Sequence, residues 1–279
     1  MKKIIAAFDG LKYATSTRDY AIALTKQTNA HLVGVFLEDP YYTGYKIYEL
    51  IEQDGINQAK LKKLSEKDRV ARQAAVEDFE TRCKQAGIEF SVHRDHAIAK
   101  QELKHETVYA DLLIISNRET LTHFTEPLPT PFIKDILADA QCPVLVVPEK
   151  YRPIEKLIFL YDGGPSAVHA IKMSSYTMPE LKDLEKEVVA VNPVNGTKHL
   201  PSGKQMKEFM KRHFPKAVYT VLKGFSDVTI TRHLKETKSH ALVVLGAYRR
   251  GTVSRWFKES MADTLLKETK LSLFIAHNK

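Results

Sequence analysis

The chain opens in the same way twice. KKIIAAFDGLKYATSTRDYAIAL, from Lys2, and EKLIFLYDGGPSAVHAIKMSS, from Glu155, each run an apolar strand into Asp-Gly and then into a helical pattern. An internal repeat constrains a fold more than composition does, because each copy must be a comparable supersecondary unit. After the Asp come small or capping residues, Thr15 and Ser16 in one copy and Ser166 in the other. One helical face follows, with Ala21 and Leu24 or Ala170, Ile171 and Ser174.

The two halves also close alike. ADLLIIS (Ala110 to Ser116) followed by CPVLVVP (Cys142 to Pro148) parallels HALVVLGA (His240 to Ala247) followed by LSLFIAH (Leu271 to His277). Between opening and closing, HLVGVFLED and EVVAVNPV read as second strands, and IEFSV (Ile88 to Val92) and AVYTVL (Ala217 to Leu222) as third strands. Near-continuous apolar strands alternating with helices belong to parallel sheets covered on both faces. The predicted class is therefore α/β: two tandem open, doubly wound, five-stranded parallel sheets with helices on both faces. The predicted domains are residues 1–150 and 151–279, joined through Glu149 to Pro153. The first half carries an extra segment from Tyr41 to about Gln85. In it Leu64, Ala71, Ala75 and Phe79 fall at helical spacing, Gly87 suits the C-cap, and Tyr41, Tyr42, Tyr45 and Tyr48 precede the helix. Those tyrosines are read as packing.

Charge separates the halves. Residues 1–150 hold 20 Lys and Arg against 22 Asp and Glu, and the remainder holds 22 against 12. The second half is therefore the one expected to attract an anionic or protein partner. Two cysteines, Cys83 and Cys142, make no disulfide framework and no metal-ligand spacing. The apolar run at the N-terminus is short and broken by Asp9, which suits a strand better than a leader. No stretch reaches the ~18 consecutive apolar residues of a membrane span. A cytoplasmic location is expected.

Doubly wound sheets bind ligands beyond the carboxyl ends of their strands, where strand order switches. Asp9 and Asp162 stand there, together with the loops after Ser116 and Leu245. The latter loop reads GAYRRGTVSRWFKESMADTLL: Gly246 and Gly251 permit backbone approach to a phosphate, and Arg249, Arg250, Arg255 and Lys258 add charge ahead of a helix. Thr252 stands where a Walker A loop needs lysine, which excludes that loop. DGGPS at Asp162 lacks the serine and second aspartate of the ATP pyrophosphatase loop. His93, Asp95 and His96 are closely spaced, but no third ligand is evident, and no metal is expected. No nucleophile elbow occurs. Cys142 precedes Pro143 at a strand start and is read as buried. An Asp at a strand end also commonly caps the following turn, the structural reading of Asp9.

The strand ending in Asp-Gly, the glycine-containing loop, the final CPVLVVP strand and the duplication together resemble a tandem universal stress protein, over nearly the whole chain. The resemblance implies two domains paired about a pseudo-twofold axis; whether two chains pair again into a homodimer stays open. ATP-binding members carry Gly, two residues, Gly, nine residues, then Gly and Ser or Thr. On this chain the first glycine is Gly246, the hydroxyl is Ser260, and Asp162 matches the first-strand aspartate near the adenosine. Arg249 and Glu259 replace the other two glycines, one able to pair with phosphate and the other repelling it. The first-half loop, SNRETLTHFTEPLPTPFIKDIL, has no glycine, and Pro127, Pro129 and Pro131 stiffen it. No nucleotide is assigned to that half.

These readings lead to a non-catalytic stress-response binding or regulatory protein. ATP or another adenine nucleotide would sit in the second half, on Asp162, Gly246, Arg249, Arg250, Gly251 and Ser260. The alternative is a nucleotide-independent module contacting protein, lipid or nucleic acid through the basic half.

Overall fold

The computed structural model describes residues 1–38, 58–95, 98–122, 124–246 and 260–276. In the first half, β1 (Lys3–Asp9), β2 (His31–Leu37), β3 (Phe90–Asp95), β4 (Leu112–Ser116) and β5 (Val144–Val147) alternate, among the described residues, with four helices. These are α1 (Thr15–Thr28), α2 (Gln58–Ala86), α3 (Ala99–Glu106) and α4 (Pro131–Asp139). The second half repeats the plan with β6 (Lys156–Leu160), β7 (Glu185–Asn192), β8 (Val218–Lys223), β9 (Ala241–Leu245) and β10 (Ser272–Ile275). Its helices are α5 (Pro165–Thr177), α6 (Gly203–His213), α7 (Ser226–Glu236) and α8 (Met261–Glu268).

All ten strands form one sheet in the order β3-β2-β1-β4-β5-β10-β9-β6-β7-β8. Every neighbouring pair is parallel except β5 and β10, which run antiparallel with Leu273 opposite Val146 and Ile275 opposite Val144. Two five-stranded parallel units, each switching order beside its first strand, thus join edge to edge into a single continuous sheet. The α/β class of two five-stranded, doubly wound units read from the sequence holds, with the two units sharing one sheet. The physical reason lies in the last strands, whose residues Val144–Val147 and Ser272–Ile275 are wholly buried. A bare apolar edge strand invites pairing, and each covers the other.

Alternation along each strand splits the core in two. Ile4, Ala6 and Phe8 face α1 and α2, with Phe159, Met206 and Phe214 continuing that layer under α5 and α6. Ile5, Ala7, Val33 and Val35 face α3 and α4, with Ile230, Leu234, Leu265 and Leu266 continuing it under α7 and α8. Each fully buried aliphatic or aromatic side chain contributes about 1.5–3 kcal/mol of burial. Across the junction Tyr20 Oη and His240 Nε2 share a hydrogen bond of 2.8 Å, and the Arg152 backbone N–H donates to the same tyrosine oxygen at 3.3 Å.

Helix ends follow local chemistry. Thr130 caps α4 by accepting from the Ile133 N–H at 3.2 Å, with Pro131 at the first helical position. Thr15 and Ser16, read as caps from the sequence, are instead inside α1; Ala14 is the N-cap and supplies no side chain to it. On α2 the buried face is Ala75, Val76, Phe79 and Cys83, while Ala71 is exposed. Gly87 ends α2 with φ of +65°, a left-handed position glycine occupies at no steric cost. The tyrosines at 41, 42, 45 and 48 lie outside the described residues.

Candidate crevices at the two switch points

In the second half, β6 pairs with β9 and β7 on its two sides, so the switch in strand order falls at β6 and β9. Asp162 and Gly246 leave the sheet there. Asp162 is exposed, and its Oδ1 accepts the Gly164 N–H at 2.8 Å, an Asx turn that leads into Pro165 and α5. Gly163 has φ of +86°, and a Cβ on it would stand 2.9 Å from Pro201 Cβ. Gly246 is tighter still: a Cβ there would fall 2.4 Å from both C and O of Ser166 and 2.8 Å from the Ala167 nitrogen. Its glycine character thus lets the first turn of α5 lie directly on the end of β9, a packing role the sequence reading did not give it.

Gly246→Ala is expected to destabilise the protein by about 1–3 kcal/mol, because the obstruction is backbone and cannot rotate away. Calorimetric melting checks this, and an unchanged midpoint would mean that α5 yields without cost.

Ser260 opens α8, which returns from the carboxyl end of β9 to the start of β10. Its Oγ accepts the Asp263 N–H at 3.1 Å, and Asp263 Oδ2 accepts the Ser260 N–H at 3.2 Å, a reciprocal capping box. A serine hydroxyl that accepts at a cap can also donate its own proton. Arg249, Arg250 and Gly251 lie outside the described residues, as do Arg255, Lys258 and Glu259. Of the six predicted residues the structure therefore places Asp162, Gly246 and Ser260, all at the carboxyl end of the sheet.

The first-half crevice, between β1 and β4, is built differently. Asp9 is only 2% exposed; its Oδ1 accepts the Leu11 N–H at 2.8 Å, and Oδ2 is buried with no hydrogen-bond partner among the described residues. Burial raises its pKa, opposed by the Leu11 N–H and by the charges of Arg72 and Lys12. Glu119, from the loop after β4, is buried against it and accepts from the Asp9 N–H at 3.4 Å and the Thr120 N–H at 3.1 Å. Burial, reinforced by the Asp9 carboxylate, pushes Glu119 up to about 7. Lys12 reaches across to Thr120 Oγ1 and the Phe124 carbonyl, both at 3.3 Å, and to the carbonyl of Thr122. Arg72 of α2 donates to the Leu37 carbonyl at 3.3 Å on the other side. Sequence reasoning missed Glu119 and Arg72 as partners of Asp9, since no local spacing links residues so far apart, and it missed Lys12, three residues on, whose bonds reach the distant Thr120 loop. A cavity of about 230 Å³ remains at the start of α1, bordered by charges of both signs from Lys12, Arg118, Glu119 and Glu149.

The other chemical candidates resolve into ordinary contacts. His93 Nδ1 lies 2.6 Å from Glu106 Oε1, which also accepts from Lys3 through Oε2 at 3.2 Å. His96 lies outside the described residues. Among the described residues no group of three or more His, Cys, Asp or Glu is placed to hold a metal ion. Both cysteines are buried and neither is in a disulfide, and burial pushes the Cys83 thiol up to about 12, far from thiolate reactivity. No helix among the described residues is long and apolar enough to cross a membrane.

Comparison with known proteins adds two findings. The model of the universal stress protein family matches residues 1–148. Among solved structures, a universal stress protein from Archaeoglobus fulgidus is 12% identical, with 99% of this chain and 98% of that chain aligned at a TM-score of 0.73. A functionally unknown protein from Pseudomonas aeruginosa is 14% identical, covering 99% of this chain and 92% of its own at a TM-score of 0.64. At such identities these likenesses speak for the fold. A search of curated proteins finds no match.

Proposed function

The chain belongs to the universal stress protein family, and from that premise we propose that it is a non-catalytic binding and regulatory protein of the stress response. In this reading both halves are domains of that family, and an adenine nucleotide occupies the second. The observation supporting that choice is the contrast between the two switch points. In the first half Asp9 is buried against Glu119, with Lys12 and Arg72 closing from either side. In the second, Asp162 is exposed at the turn.

Asp162 is assigned to the ribose or base, where a carboxylate accepts hydroxyl or amino protons. Gly246 and Gly251 would present backbone to the phosphates, with Arg249 and Arg250 as counter-charge. Ser260 would donate its hydroxyl proton to a phosphate oxygen while keeping its cap. The basic composition of the same half favours an anionic ligand on approach. The protein is proposed to act in the cytoplasm.

The test is thermal stability with ATP, AMP, inorganic triphosphate or no ligand at matched ionic strength. At 100 times its dissociation constant a ligand adds about 2.7 kcal/mol, and each kcal/mol moves the midpoint of a chain this size by roughly 2–4 °C. ATP is expected to raise the midpoint more than triphosphate does, and Asp162→Asn, which keeps an acceptor for the Gly164 N–H, is expected to weaken ATP about tenfold. Ser260→Ala is a poorer probe because it also removes a helix cap. A shift equal for ATP and triphosphate, or none at all, would sink the adenine reading and favour the interaction module instead.

A further inference from the structure

A cavity with basic walls lies where the two halves meet. The antiparallel pairing of β5 with β10 brings the segment leaving β5 beside the end of α8, and the loop leaving β4 lies alongside. Between them is a cavity of about 270 Å³. Its walls carry five basic residues from three separate segments, Arg118, Lys150, Arg152, Lys267 and Lys270, and one carboxylate, Glu149. Arg118 is paired with Glu149 at 3.0 Å. Among the described residues Lys150, Arg152 and Lys270 have no carboxylate within ion-pair distance. We infer that this junction cavity binds a small polyphosphate anion, separately from the β6–β9 crevice.

Cations near the end of α8 have a simpler explanation, since a helix carboxyl end carries about half a negative charge and attracts them. That accounts for Lys267 and Lys270 but not for Lys150 and Arg152, which belong to the connection after β5. Repetition sharpens the contrast. Aligning Cys142–Pro148 with Leu271–His277 sets Ala138 and Gln141 opposite Lys267 and Lys270, so the matching corner of the other half lacks these charges. Asn117, also in the wall, keeps Oδ1 buried with no hydrogen-bond partner among the described residues.

Size selects the ligand class. The cavity holds the liquid volume of about nine waters and lies just below the usual ~300 Å³ floor of drug-sized pockets. It suits a compact chain of phosphates, whose several charges can be met at once by cations arriving from different segments.

Calorimetric titration of the full chain with inorganic triphosphate, at low and at physiological salt, tests the site. Saturable binding that weakens with salt is expected. Lys150→Gln combined with Lys270→Gln should weaken it about tenfold or more, without moving the ligand-free melting midpoint by more than about 2 °C. Asp162→Asn should leave this site's affinity unchanged, which separates its failure from failure of the adenine site. Wild-type affinity in the double variant, or no triphosphate binding at low salt, overturns the inference. Capture by vesicles containing a polyphosphoinositide, with no binding of free triphosphate, overturns it equally, because the phosphates would then be those of a lipid surface.

Discussion

Glu119→Gln is expected to stabilise the protein by roughly 3 kcal/mol at pH 8 and to flatten its stability profile between about pH 4.5 and pH 7. Glu119 is fully enclosed, and its carboxyl is pushed from an ordinary 4.5 to about 7 by burial and, next, by the Asp9 carboxylate. A native pKa above the unfolded one means that between those values the native state holds a proton the unfolded chain has released. The resulting stabilisation is complete below about pH 4.5 and is lost as pH rises through about 7. Above that, folding must keep a buried charge beside a second buried acid. Gln retains the shape without the charge; its one oxygen can keep the Thr120 N–H, while its amide nitrogen takes the place of the oxygen that accepts the longer bond from the Asp9 N–H. Urea melts of both proteins at several pH values check this: the difference should be small at pH 5 and grow steadily to pH 8. A constant difference across that range would show that Glu119 is solvated or compensated.

The same residues mark how far the sequence could be read. The ten strands were legible because strands buried on both faces show as short apolar runs, and the repeat identified five per half. The joining of β5 to β10 was not read, although a signal existed. Cys142–Pro148 and Leu271–Ala276 contain no charge, and in an open sheet each would end as an exposed edge. Their composition implied a cover, but composition could not say that each was the other's.

At the switch points the local features were legible and the long-range ones were not. Asp9 and Asp162 capping their own turns follow from spacing of two residues. The meeting of Asp9 with Glu119, separated by 110 residues, does not. Even Gly246, picked out for phosphate approach, is held by contact with Ser166, a residue of the first β-α unit of the same half. A glycine can be conserved in type by packing and still border a ligand crevice, so its presence alone does not distinguish the two roles.

Phe79→Ala is expected to have the largest destabilising effect, about 3–5 kcal/mol. Phe79 is fully buried and forms the centre of an aromatic group, with ring centroids 5.5 Å from Phe8, 5.8 Å from Phe36 and 6.0 Å from Phe90. It packs over Gly34 of β2, where a Cβ would come within 2.7 Å of the ring. The ring and the missing side chain are complementary: glycine admits the phenyl group, and the phenyl group fixes α2 on the sheet. Truncation removes the ring contacts and leaves a cavity beside Gly34 that no neighbouring backbone can fill. Phe79→Leu, retaining much of the volume, should be clearly less damaging. Urea denaturation of both variants decides the point, and Phe79→Ala within about 1 kcal/mol of wild type would show that the layer collapses around the gap. The consequence reaches the first crevice, because α2 also holds Arg72 beside Asp9. If α2 loosens, Asp9 loses one of the charges that oppose the rise in its pKa, and the buried acidic pair should retain its proton to higher pH than in the intact protein.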